Sequence, residues 1–275
     1  MIAKELSTMT SKDSEESKHK NDPYGNLRMP GEGEPITEPP IPAATVVLLR
    51  DGPDGVETLM LRKNKEIRFG GMWVFPGGRI DHADYPNNDP GEAVYDGLSA
   101  AADDHKTAAA RTAAARETHE EAGIHTDPED FIWFSHWTPP PITPKRFTTW
   151  FFAARVTGDQ EIIIDGGEIH EHQWINPGRA IEKHAAREID FVPPTWMTLH
   201  YLARRNTVDE LLSHFSSVPP KVYETHLGKS EEGHRVALWQ GDAGYEAWDA
   251  NITGDRHRVI MSKDGFVFEN TVEPY

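Results

Sequence analysis

Arg116-Glu117-Thr118-His119-Glu120-Glu121-Ala122-Gly123-Ile124 is the run on which this 275-residue chain turns. The Ala-rich segment ahead of Arg116 favours helix, and Gly123 is a natural stop for it. In such a helix Glu117, Glu120 and Glu121 stand at i, i+3 and i+4, so their carboxylates share one face. Like charges so placed repel by roughly 0.2–0.5 kcal/mol per pair. A hard divalent cation, Mg²⁺ or Mn²⁺, is the natural compensation, because it takes oxygen ligands and binds phosphates. Upstream, Phe75-Pro76-Gly77-Gly78 reads as a strand end running into a glycine loop, which could lend a backbone carbonyl to the same ion.

These two blocks resemble the signature of the Nudix hydrolase family: Gly, five residues, Glu, seven residues, then Arg-Glu-aliphatic-x-Glu-Glu-x-Gly-aliphatic. With Gly78 as the first glycine, Arg116 to Ile124 match the second half. Asp84 stands where the first Glu belongs, and Thr118 takes the aliphatic position. Arg116 lies 32 residues after Asp84 rather than eight, so about two dozen residues interrupt the box. That interruption is similar to a subgroup related to the peroxisomal coenzyme A diphosphatases. The likeness continues through Arg146-Phe147-Thr148-Thr149-Trp150-Phe151-Phe152-Ala153 and spans roughly residues 41–205.

The resemblance implies an α/β fold, a Nudix-type α/β/α sandwich with a mixed β-sheet. It implies metal ligands at Gly78, Glu117, Glu120 and Glu121, with Mg²⁺ or Mn²⁺ as cofactor. Arg116 matches the family arginine that orients a glutamate by ion pairing. Catalytic roles fall to Glu117, Glu120, Arg116 and one acid recruited from a later strand or loop. Glu168 and Glu171 are the candidates, with Glu168 preferred because Gly166-Gly167 permit an inward loop. The implied reaction is hydrolysis of a diphosphate bond in a nucleoside diphosphate linked to another group. Coenzyme A or acyl-coenzyme A is one substrate; ADP-ribose, a dinucleotide or a nucleoside triphosphate are others. A ligand sensor and a catalytically dead scaffold are the non-enzymatic readings.

Net charge is −17 with a pI near 5.2, which argues against a nucleic-acid partner, since phosphate backbones are bound by clustered Lys and Arg. A small anionic substrate remains compatible, because a bound metal supplies local positive charge. The absence of cysteine excludes disulfides, thiolate metal sites and Cys nucleophiles. No apolar stretch approaches ~20 residues, and no signal-peptide core or Ser-Lys-Leu type ending is present. The chain reads as soluble and cytoplasmic, without a membrane partner; a homodimer is one assembly open to it.

Along the chain, residues 1–40 are polar and expected to be disordered. The hydrolase domain is expected over 41–218. It begins with a buried strand at Ala44–Leu49, a return strand at Glu57–Arg62 and a third at Met72–Phe75. An insertion at about 85–106 has the length of a surface excursion or a substrate lid. Helix is expected over Lys106–Ala122, strand over 131–137, 147–156 and 168–175, and helix from Pro177, near 195–205 and over 208–215. Residues 219–275 read as a β-rich extension, either a subdomain or extra strands on the first sheet. Trp73, Trp137, Trp150 and Trp174 read as core. His170 and His172 share one strand face, which suits a metal pair, but no third ligand stands at matching spacing and they read as partly buried polar residues.

Overall fold

The computed structural model describes residues 38–66, 70–90, 103–141, 146–158, 160–262 and 264–272. The tail expected over residues 1–40, apart from Glu38 to Pro40, and residues 91–102 of the insertion lie outside these residues.

The main sheet grows from β1 (Ile41–Gly52), whose apolar run alternates between two cores. Val46 and Leu48 point to one, Val47 and Leu49 to the other, as the period-two pleat of a strand covered on both faces requires. A turn returns the chain antiparallel through β2 (Gly55–Lys63), which also pairs with β3 (Trp73–Val74) and β7 (Ile169–Ile175). On its other side β1 runs parallel to β6 (Phe147–Arg155). Beyond lie β5 (Ile132–Thr138), antiparallel to β6, and β8 (Lys221–Glu224), parallel to β5. The sheet is therefore mixed. Gly77–Arg79, read from its glycines as loop, forms a short strand β4 on β1, with Gly78 opposite Ala44.

Helix α1 (Asp104–Ala122) covers one face. Asp103 caps it by accepting from the His105 and Lys106 amides, and Gly123 closes it in the left-handed conformation at φ 69°. Ala109, Ala110, Ala113 and Ala114 are fully buried beneath it, so the helix lies close on Leu59, Leu61, Trp150 and Phe152. Thr118, in place of an aliphatic residue, is also buried. Its hydroxyl donates to the Ala114 carbonyl at 2.7 Å, which satisfies the polar atom inside an apolar layer.

The opposite face packs on α2 (Pro177–Ala185), α3 (Pro193–Leu202) and α4 (Val208–Ser217). The result is the α/β sandwich the sequence predicts. The C-terminal region takes both of the forms foreseen for it. β8 extends the main sheet, while β9 (His226–Lys229), β10 (Arg235–Leu238), β11 (His257–Ser262) and β12 (Gly265–Asn270) make a second antiparallel sheet. Ala237, Trp239 and Val259 of this region join the core cluster of α3 and α4. A buried Arg258–Asp242 pair, with two bonds of 2.6 Å, ties β11 to the loop that precedes it.

Candidate functional site

The box interruption closes on itself. Asp84, in a short 3-10 turn after β4, is only 3% exposed at its side chain and receives Arg116 in a two-point contact. Arg116 Nε donates to Asp84 Oδ1 at 3.0 Å and Nη2 to Oδ2 at 2.9 Å. Nη2 also donates to the Arg79 carbonyl at 3.0 Å, and Nη1 donates to Glu117 at 2.8 Å and Glu120 at 3.1 Å. The fork of the guanidinium is thus saturated, and it pins the residues before the insertion to those after it. Asp84 and its neighbouring carboxylates hold the Arg116 pKa above its ordinary value, against the cost of burial.

The three glutamates do not share one environment. Glu117 and Glu121 turn inward, whereas Glu120 is 57% exposed and meets Arg116 from the solvent side. Glu117 lies against the backbone of Gly78, so closely that a Cβ there would overlap its carboxylate. Any side chain at that point must displace the Glu117 carboxylate. Glu121 accepts from the Gly77 amide at 3.0 Å. Burial pushes the Glu121 carboxyl up to about 7, although Lys63 and the Gly77 amide act in the opposite direction. Burial also raises the Glu117 carboxyl, with Glu120 and Glu168 adding repulsion that Arg116 offsets.

Glu168 joins this group and Glu171 does not. The Asp165 side chain accepts from the Glu168 and Ile169 amides at 2.8 Å each, and this turn aims Glu168 at Lys63, Glu117 and Glu121. Glu171 pairs with Arg62 at 2.9 Å on the exposed strand. His170 and His172 are exposed on β7 and form no three-ligand group among the described residues, and Arg79 turns out to Asp81 at 3.0 Å. Arg68 lies outside the described residues.

Sequence reasoning missed Lys63. Its Nζ reaches Glu168 and stands 3.6 Å from Glu121, with the side chain 13% exposed. Burial opposes the ammonium, but the two carboxylates outweigh it and raise its pKa. Its position as the last residue of β2, at i+2 from Leu61, was the available signal, since that alternation turns it to the α1 face. Among the described residues no three His, Asp or Glu side chains close around one point. Lys63 pairs with Glu121 and Glu168, and Arg116 with Glu117 and Glu120.

A model of the NUDIX domain matches residues 39–195, more than half of the chain. The chain belongs to the Nudix family. It is a Nudix-type pyrophosphohydrolase, of a family that acts on small nucleotide-derived substrates and generally uses divalent metals. Among solved structures it is similar to a Nudix hydrolase from Alicyclobacillus acidocaldarius, with 23% identity and a TM-score of 0.52 over 64% of this chain and 97% of that one. At that identity the likeness shows the fold. It is also similar to the Nudix domain of NrtR from Shewanella oneidensis, solved with ADP-ribose (12% identity, TM-score 0.42, 63% of this chain and 93% of that one). A third similar structure is the Ap4A hydrolase of C. elegans in a binary complex (19% identity, TM-score 0.39, 65% and 99%). Comparison with the curated proteins gives no match. Among the described residues no helix is long and apolar enough to cross a membrane.

Proposed function

We propose that this Nudix hydrolase cleaves the diphosphate of a nucleoside diphosphate joined to a second moiety, using Mg²⁺ or Mn²⁺. The metal would be held by Glu117, Glu120 and Glu121 with the Gly78 carbonyl, and Glu168 is the acid recruited from the later strand. The donor set fits a hard cation. It consists of oxygen atoms alone, it converges from a helix, a glycine backbone and a turn, and a lysine ammonium already rests against two of its members. When bound, such an ion would neutralise phosphate oxygens and activate water.

The chain's own residues supply the remainder. Arg116 orients Glu117 and Glu120, and Asp84 holds Arg116, so the acids need little rearrangement when charge develops on the phosphates. The observation that carries this reading is the placing of Glu117 and Glu121 against the Gly78 and Gly77 backbone, with Glu168 near enough to raise both carboxyls.

For the substrate we favour coenzyme A or acyl-coenzyme A, cut to a phosphopantetheine product and an adenosine bisphosphate. Support comes from the interrupted box and the run from Arg146 to Ala153, both of which resemble the coenzyme A subgroup. The test is a metal-supplemented panel of coenzyme A, acyl-coenzyme A, ADP-ribose, dinucleotides and nucleoside triphosphates, with product masses recorded. Preferred turnover of the coenzyme A compounds supports the assignment. Preferred turnover of another member moves the substrate while leaving the chemistry in place. No hydrolysis of any member with either metal overturns the reading.

A further inference from the structure

The basic residue among the acids is the feature the proposed chemistry does not use. Along β2 the side chains of Leu59 and Leu61 enter the core beneath α1, and Lys63 follows them on that face. Its backbone is fixed from both sides. The amide donates to the Met72 carbonyl at 3.0 Å, and the carbonyl accepts from Gly71 at 2.9 Å. The pairing of β2 with β7 shifts register between Arg62 and Lys63, and the next residue, Asn64, ties down the turn that carries Glu168. Its amide donates to the Glu168 carbonyl at 2.8 Å, and its side chain to the Gly167 carbonyl at 3.0 Å. Lys63 and Glu168 are thus built to face each other.

Charge explains what the contact does. Arg116 directs its donors to Asp84, Glu117, Glu120 and the Arg79 carbonyl, away from Glu121 and Glu168. Glu121 is nearly buried and Glu168 lies close enough to repel it. Among the described residues, Lys63 is the cation that meets both. An unpaired buried carboxylate is costly, and a positive charge beside it lowers that cost before any metal arrives.

We propose that Lys63 is the resident counter-cation of the metal-free site, and that a divalent ion must displace its ammonium from Glu121 and Glu168 to bind. The inference rests on the metal-site reading above. Lys63 then acts as a positioning residue: it holds Glu121 and Glu168 together before a metal binds and weakens metal binding by competing for the same oxygens. Freed by the metal, the ammonium would remain within a side chain's reach of an anionic substrate bound there.

The test compares wild type with Lys63→Met, which is neutral and of similar length, and with Lys63→Arg, which keeps the charge. Mn²⁺ affinity is measured by titration calorimetry and by the electron-spin signal of free Mn²⁺, and thermal midpoints are recorded in chelator and in saturating Mn²⁺. Removing a competing charge from a desolvated carboxylate cluster should tighten Mn²⁺ binding about tenfold or more. The metal-free midpoint of Lys63→Met should fall by several degrees, and saturating Mn²⁺ should raise it by more than it raises wild type. Lys63→Arg should bind Mn²⁺ as wild type does.

Binding by Lys63→Met that equals or is weaker than wild type overturns the inference, because a merely structural lysine or a phosphate ligand gives that result. If Lys63→Met does not fold in chelator, it and Lys63→Gln are refolded with Mn²⁺. Recovery of the folded state by metal supports the counter-cation role, and failure of both to recover overturns it. A wild type that binds no Mn²⁺ removes the metal reading itself, whereas tight wild-type binding with an unchanged variant removes the lysine's role alone.

Discussion

Replacing Asp84 by Asn is the perturbation that asks whether the interrupted box works as one unit. Asn keeps the shape and one acceptor oxygen, but it turns an amide N–H toward a guanidinium that already donates. One of the two Arg116 bonds, at 2.9 and 3.0 Å, is lost, and so is the charge that assists the other. A hydrogen bond between charged groups is worth about 1.5–3 kcal/mol. Arg116 is 28% exposed at its side chain, so water recovers part of that. A net loss of about 2 kcal/mol is expected, which for a chain of this size lowers the thermal midpoint by roughly 4–8 °C.

The kinetic consequence should be larger than the loss of stability. Arg116 released from Asp84 no longer fixes Glu117 and Glu120, and misplacement of catalytic groups by about 1 Å can cost about 10²-fold in rate. Thermal unfolding by circular dichroism and turnover of the best diphosphate would be measured on Asp84→Asn, Arg116→Met and the double variant. Coupling of about 0.5–3 kcal/mol should appear in the cycle, since the two side chains touch. A midpoint within about one degree of wild type and unchanged turnover would refute the idea that Asp84 anchors the arginine.

Three further outcomes follow from the geometry. Gly78→Ala should displace the Glu117 carboxylate and lower turnover by about 10²-fold with a smaller effect on folding, checked by kinetics beside thermal unfolding. Glu168→Gln should lower turnover by at least about tenfold, while Glu171→Gln, which only breaks an exposed pair with Arg62, should change it little. In chelator, stability should decline as pH rises from about 4.5 to about 7. The folded Glu121 carboxyl holds its proton to about 7 while the unfolded one loses it near 4.5, so the folded state binds more protons across that window. Glu121→Gln should flatten the decline, worth up to ~3 kcal/mol, in denaturant titrations at stepped pH.

Much of this arrangement is legible in the sequence because local signals agreed. The apolar run in β1, the alanines and the Gly123 stop in α1, and Pro177 at the start of α2 each specify one element without help from distant residues. The β4 strand was missed because Gly77-Gly78 carry no side chains to show alternation; only pairing with β1 makes them a strand. Within the β-rich C-terminal stretch, β9 has only four residues, too few to show a pattern of its own. Lys63 was missed for a different reason. Alternation from Leu61 marks the face it takes, but its partner Glu168 comes from a turn about a hundred residues away, which spacing along the chain does not encode. The unequal exposure of Glu117, Glu120 and Glu121 was likewise hidden, because helical spacing sets a shared face but not how deeply the sheet covers it.

The central claim is that carboxylates on α1 hold a divalent ion that hydrolysis requires, and Mn²⁺ titrated into chelated protein tests it most directly, with bound Mn²⁺ and diphosphate turnover followed in one sample. Wild type should gain turnover in proportion to Mn²⁺ bound, and the double variant Glu117→Gln, Glu121→Gln should remain folded while losing both. Full wild-type turnover in excess chelator, or a double variant that retains activity, would contradict it.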